Sequence, residues 1–171
     1  MLNTKQIVVV VIVVVMIGAL LAQPIKGLVD KQEQNTTAAA DESSSMYNLK
    51  SVSELAKQGI NASLSQEISA IEQEVEKADG EEKVSLLQSL ANKWEDLAKP
   101  IPQGFIYKEM AEATPTLEYW VKSGDAFRTG YTNQQDTALA SALNKLAIES
   151  YEKAIEIDPN SLSAKTGLGA S

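Results

Sequence analysis

Residues 147–160 read AIESYEKAIEIDPN. Ala147, Tyr151 and Ala154 stand four and three apart, the step of one face of an α-helix. The two small alanines let a neighbouring helix approach closely on that face. Asp158-Pro159-Asn160 then ends the helix, because proline disfavours helical backbone in the residue before it and lacks an amide hydrogen of its own. The same period runs outward toward the N-terminus. Ser51-Val52-Ser53-Glu54 has the form of a capping box, with Gly59 as a stop. Leu64, Ile68, Ile71 and Val75 make one stripe, with Ser63 and Gln66 expected at its start and Gly80 at its end. Val84, Leu87, Leu90, Ala91, Trp94, Leu97 and Ala98 make another, which stops at Lys99-Pro100. A further helix is expected from about Gln103 to Ala113, before Pro115. No stretch alternates with period two for long enough to predict a strand. Short helices with short turns pack as antiparallel neighbours, so the chain reads as all-α.

The segment 147–160 resembles the second helix and closing turn of a tetratricopeptide (TPR) repeat, in which Tyr151 would fill the gap between repeats. Residues 119–127, YWVKSGDAF, resemble the first helix of the same repeat. Trp120, Gly124 and Phe127 match its pattern, and Ser123 stands where the pattern has Leu. The interval from Trp120 to Pro159 is longer than the family's period of about 34 residues allows. The surplus falls around Gly130 to Ala140, as a loop or as longer helices. The helix-prone run Ala138 to Ala147 favours extension of the second helix. Leu87, Leu90, Ala91, Trp94, Tyr107 and Pro115 fit a degenerate repeat one period earlier. Ala164, Leu168 and Gly169 fit the opening of a later one. The resemblance implies an all-α array of antiparallel helical hairpins of TPR-like superhelix type over residues 84–171, with the last repeat incomplete. A helical N-terminal hairpin is expected over 49–83.

The N-terminal part has a different character. Residues 7–22, IVVVVIVVVMIGALLA, carry no charged or strongly polar side chain. The stretch 6–25, flanked by Lys5 and Lys26, has about the length that spans a bilayer core as a helix. Residues 1–29 therefore read as a single transmembrane anchor in the lipid bilayer. The alternative is a signal peptide cleaved near Ala22, against which Leu20 and Pro24 speak. Residues 30–48, DKQEQNTTAAADESSSMYN, have almost no large apolar side chain and read as a flexible linker. A short N-terminus ahead of the apolar run usually stays inside. The expected location is the inner membrane with the C-terminal part in the periplasm, or secretion to the periplasm after cleavage.

Composition narrows the function. There is no Cys and no His among the 171 residues. Catalytic triads built on histidine, cysteine nucleophiles and zinc sites of Cys or His are excluded. The net charge of −8 argues against nucleic acid, whose phosphates need a basic face. Glu72, Glu74, Glu76, Asp79, Glu81 and Glu82 form an acidic cluster without EF-hand spacing, read as a solvated face. Trp94 and Trp120 lie in packing stripes and read as core. No cofactor, metal or small-molecule substrate is indicated, and the chain is not expected to be an enzyme.

The TPR resemblance implies protein or peptide segments as partners, held on a face lined by the first helices. The positions that match that face are Ser85, Gln88, Asn92 and Glu95, then Glu118, Val121, Asp125 and Arg128. Each set steps by three, four and three. Their mixed, acid-leaning character suggests a polar or basic peptide, and the bland alternative is ordinary solvated positions. The expected function is a membrane-tethered interaction scaffold of the bacterial envelope. The other reading is the non-catalytic N-terminal region of a longer envelope enzyme or accessory protein.

Overall fold

The computed structural model describes residues 47–171. Among them lie seven α-helices and no strand: α1 Leu49–Lys57, α2 Ala62–Val75, α3 Gly80–Asp96, α4 Pro100–Ala113, α5 Leu117–Thr132, α6 Thr137–Ile157 and α7 Leu162–Gly169. The expected membrane stretch, residues 6–25, and most of the expected linker lie outside the described residues. Among the described residues no helix is long and apolar enough to cross a membrane.

The helix starts obey capping chemistry, at positions that differ from the sequence reading. Asn48, not Ser51, caps α1. Its side chain accepts the Ser51 amide at 2.9 Å, and the Ser51 hydroxyl accepts the Asn48 amide at 3.1 Å. That reciprocal pair satisfies two otherwise orphaned donors. Asn61 rather than Ser63 caps α2, through the Leu64 amide at 2.9 Å. Gly80 does not end α2. It opens α3 in the left-handed region of the backbone, with a positive φ, a conformation that glycine adopts without strain. Proline pre-sets the first turn of α4, so that helix starts at Pro100, ahead of the expected Gln103. Between α5 and α6 the connection is only 133–136. The surplus residues are thus mostly helix, and α6, at 21 residues, takes most of them.

From α2 onward consecutive helices pack on one another, while α1 packs on α4, and α7 returns onto α5 as well as α6. Three apolar clusters result. Ile68 and Val75 of α2 meet Leu87, Leu90, Ala91 and Trp94 of α3 and Ile106, Tyr107 and Met110 of α4. Val52 of α1 and Phe105 of α4 meet Phe127, Leu139, Leu143, Leu146, Ala147 and Tyr151. Ala111, Trp120, Ala154 and Ala164 close the third. Helix α4 contributes to all three, which explains why it carries no clear apolar stripe: it is covered on several sides. Both tryptophans are core residues, as expected.

Helix α1 is held differently. Ser53 is fully buried, and its hydroxyl donates to the Glu72 carboxylate. Lys57, also buried, reaches the same carboxylate at 2.7 Å and the Ser69 hydroxyl at 3.0 Å. Glu72 therefore leaves the expected solvated acidic face and becomes the polar staple between α1 and α2.

Candidate functional site

The candidate face is built on α3, α4 and α5. Gln88, Asn92 and Glu95 repeat at four and three on α3, so they share one side of it, beside its buried stripe. Lys122, Asp125 and Thr129, at three and four, share one side of α5. Between them lies the N-terminal half of α4, where Pro100, Gln103 and Tyr107 repeat at three and four. Together these residues line a shallow cleft of about 390 Å³.

Amide groups and acids face each other across it. Gln88 donates through Nε2 to Asn92 Oδ1 at 2.9 Å, and Gln103 Nε2 approaches Glu95 Oε2 at 3.4 Å. The Lys122 ammonium lies 5.4 Å from the centre of the Tyr107 ring. That is within range of cation–π attraction. Glu118 pairs with Lys122 at 2.6 Å, and that bond holds the ammonium above the ordinary lysine range. Asp125 is anchored from below. The Tyr151 hydroxyl donates to its Oδ1 at 2.7 Å and accepts from Arg128 Nε at 3.3 Å. Burial first, and then the bond to Asp125, push the Tyr151 phenol well above its usual value, so it stays a donor. The same Tyr151 bond is the main reason that Arg128 is held above its ordinary value.

The structure brings together four of the eight expected residues: Gln88, Asn92, Glu95 and Asp125. Val121 instead packs against the cluster around Trp120. Glu118 and Arg128 stand behind the lining and hold Lys122 and Tyr151. Ser85 is exposed outside the cleft, its carbonyl accepting the Ser89 hydroxyl. The reading by first helices missed Pro100, Gln103 and Tyr107 of α4, and on α5 itself it passed over Lys122 and Thr129. Their signal was present, since 100, 103 and 107 share one face of α4.

Beneath the cleft, Tyr151 is wedged between two glycines. A Cβ on Gly124 would stand 2.7 Å from its ring, and one on Gly167 only 2.3 Å. On the following helix the close approach falls at Gly167, whereas Gly169, one of the positions that fit a later repeat, has open space around it. Among the described residues no group of three or more Asp or Glu is placed to hold a metal ion. The cleft offers amides, one cation and carboxylates already engaged by neighbours, an arrangement suited to holding polar groups. No family model, curated protein or solved structure matches this chain.

Proposed function

We propose that this chain is a TPR-like interaction scaffold, tethered to the bacterial inner membrane through residues 6–25 and holding a polar peptide segment of another protein in the cleft over α4. The carrying observation is that cleft itself: Gln88, Asn92 and Glu95 face Asp125 and Lys122 across Gln103 and Tyr107. Side-chain amides offer donors and acceptors to a peptide backbone at once. The exposed carboxylate of Glu95 favours a partner segment with a basic residue. The repeat reading draws support from Tyr151, buried between Gly124 of its own hairpin and Gly167 of the following helix.

The test is site-specific crosslinking in envelopes of the native host. A photoreactive residue is placed in the full-length chain at Asn92 and, separately, at Glu152, which is exposed. The reading expects discrete protein adducts from position 92, lost with Glu95→Lys, and none from 152. No adduct at 92, or the same adducts from both positions, would reject it.

A further inference from the structure

A second cleft, of about 810 Å³, opens at the end of the helices where α1, the α3–α4 turn and the C-terminus of α5 converge. Its walls are apolar: Val52, Leu55 and Ala56 of α1, Ile101 and Pro102 of α4, and Leu139 of α6. Leu55 is 59% exposed, the one large apolar side chain of α1 left uncovered among the described residues. The volume falls within the range of about 300–1,000 Å³ typical of small-molecule sites.

Of the polar side chains that line this cleft, Ser51, Glu54, Thr129 and Gln134 are engaged elsewhere, and the neutral Tyr47, Gln58 and Asn133 form no side-chain hydrogen bond among the described residues. Ser51 belongs to the α1 cap, and Thr129 donates to the Asp125 carbonyl at 2.8 Å. The Gln134 side chain accepts the amides of Gln135 and Asp136, and Glu54 pairs with Lys57 at 2.7 Å. The exception in charge is Lys99. Ala98, with a positive φ, turns the chain out of α3 and delivers Lys99 to the rim. Its Nζ reaches over the end of α1, to 3.3 Å from where a Cβ on Gly59 would stand. Among the described residues no carboxylate lies within salt-bridge distance of this ammonium, and no group hydrogen-bonds to it.

An apolar slot with one unpaired ammonium at its mouth complements one class of molecule. A peptide strand would bring a backbone amide at every residue and find few partners here. An acyl chain needs none, and a single anionic head needs one cation. We infer that this cleft binds a long-chain fatty acid, with its tail along Leu55, Ile101 and Leu139 and its carboxylate on Lys99. The site is distinct from the peptide cleft, although Pro100 and Thr129 border both, and the inference does not rest on the scaffold reading.

The test uses the full-length chain in detergent micelles with a palmitic acid that carries a photoreactive diazirine in its tail. Labelled peptides are mapped by mass spectrometry. Labelling is expected in residues 47–58, 98–102 and 129–139, displaced by palmitic acid far better than by hexadecanol, which lacks the charge. Lys99→Gln is expected to reduce it about tenfold, the scale of losing one charge-assisted contact. Leu55→Asp, at an exposed position that the fold does not need, should reduce it as well. Lys145→Gln, exposed and away from the cleft, should leave it unchanged. Labelling confined to residues 7–22, or equal displacement by the alcohol with no effect of Lys99→Gln, would overturn the assignment.

Discussion

Tyr151 is the residue on which most of the molecule's close packing converges. It is fully buried, pinned between Gly124 and Gly167, and bonded outward to Asp125. An aromatic ring held on both sides has nowhere to move when a methyl group arrives. Gly124→Ala and Gly167→Ala should each destabilise the fold by about 1–3 kcal/mol, measured as a lowered midpoint in urea. A Cβ on Gly169 would meet no neighbouring atom. Gly169→Ala should therefore change stability by less than about 0.5 kcal/mol. The phenol gives a second readout. Its folded value lies above the ordinary 10.0, so the unfolded chain loses this proton first. Its stabilising contribution is whole below pH about 10 and is lost progressively as the pH rises above that. An ultraviolet titration should therefore show one of the five tyrosines resisting ionisation until the fold opens, and Tyr151→Phe should remove that late step. The four-and-three spacing made this residue legible in sequence. Which glycine it would press against was not, because Gly167 and Gly169 differ only by the rotation of a short helix that no local pattern determines.

Helix existence was legible almost throughout, since apolar stripes at the helical period survive folding unchanged. Ends were less so. Ser or Asn stands at more than one position at or inside the starts of α1 and α2, as with Asn48 and Ser51 or Asn61 and Ser63, and any of them can cap in isolation. The choice of Asn48 and Asn61 follows from where the stripes meet their neighbours. Glu72 was misread for a related reason: it looks solvated on its own helix, and only the approach of α1 gives it Ser53 and Lys57 as partners. That pairing is polar, so it yields to a polar change. Glu72→Ala leaves Lys57 buried with only the exposed Glu54 and the neutral Ser69 hydroxyl, and removes the acceptor of the Ser53 hydroxyl. The loss should be about 1–3 kcal/mol, concentrated in α1. Hydrogen exchange should accelerate at residues 52–58 well before it changes in α5 and α6. Half of the candidate peptide face was legible for the same reason that helices are, by periodicity. The α4 contribution was not, because attention to first helices leaves out a second helix whose N-terminal turn surfaces between them.

At the scale of the whole described body, α4 is the shared wall. Met110 and Ile106 face the α2–α3 cluster, Phe105 faces the α5–α6 cluster, and Ala111 meets Trp120. Met110→Ala should cost about 2–5 kcal/mol. Because the clusters share this helix, protection from hydrogen exchange should fall together in α3, α4 and α5 rather than in one hairpin. The outermost helix behaves in the opposite way. Helix α1 joins the rest through Val52, Leu49 and the staple at Glu72, and it is also the outer wall of the Lys99 cleft. A pull applied at Tyr47 is borne first by the Leu49 and Val52 contacts and then by that staple. Drawn taut from this end, the chain would sacrifice the Lys99 cleft and keep the cleft over α4, so that tension alone separates the two.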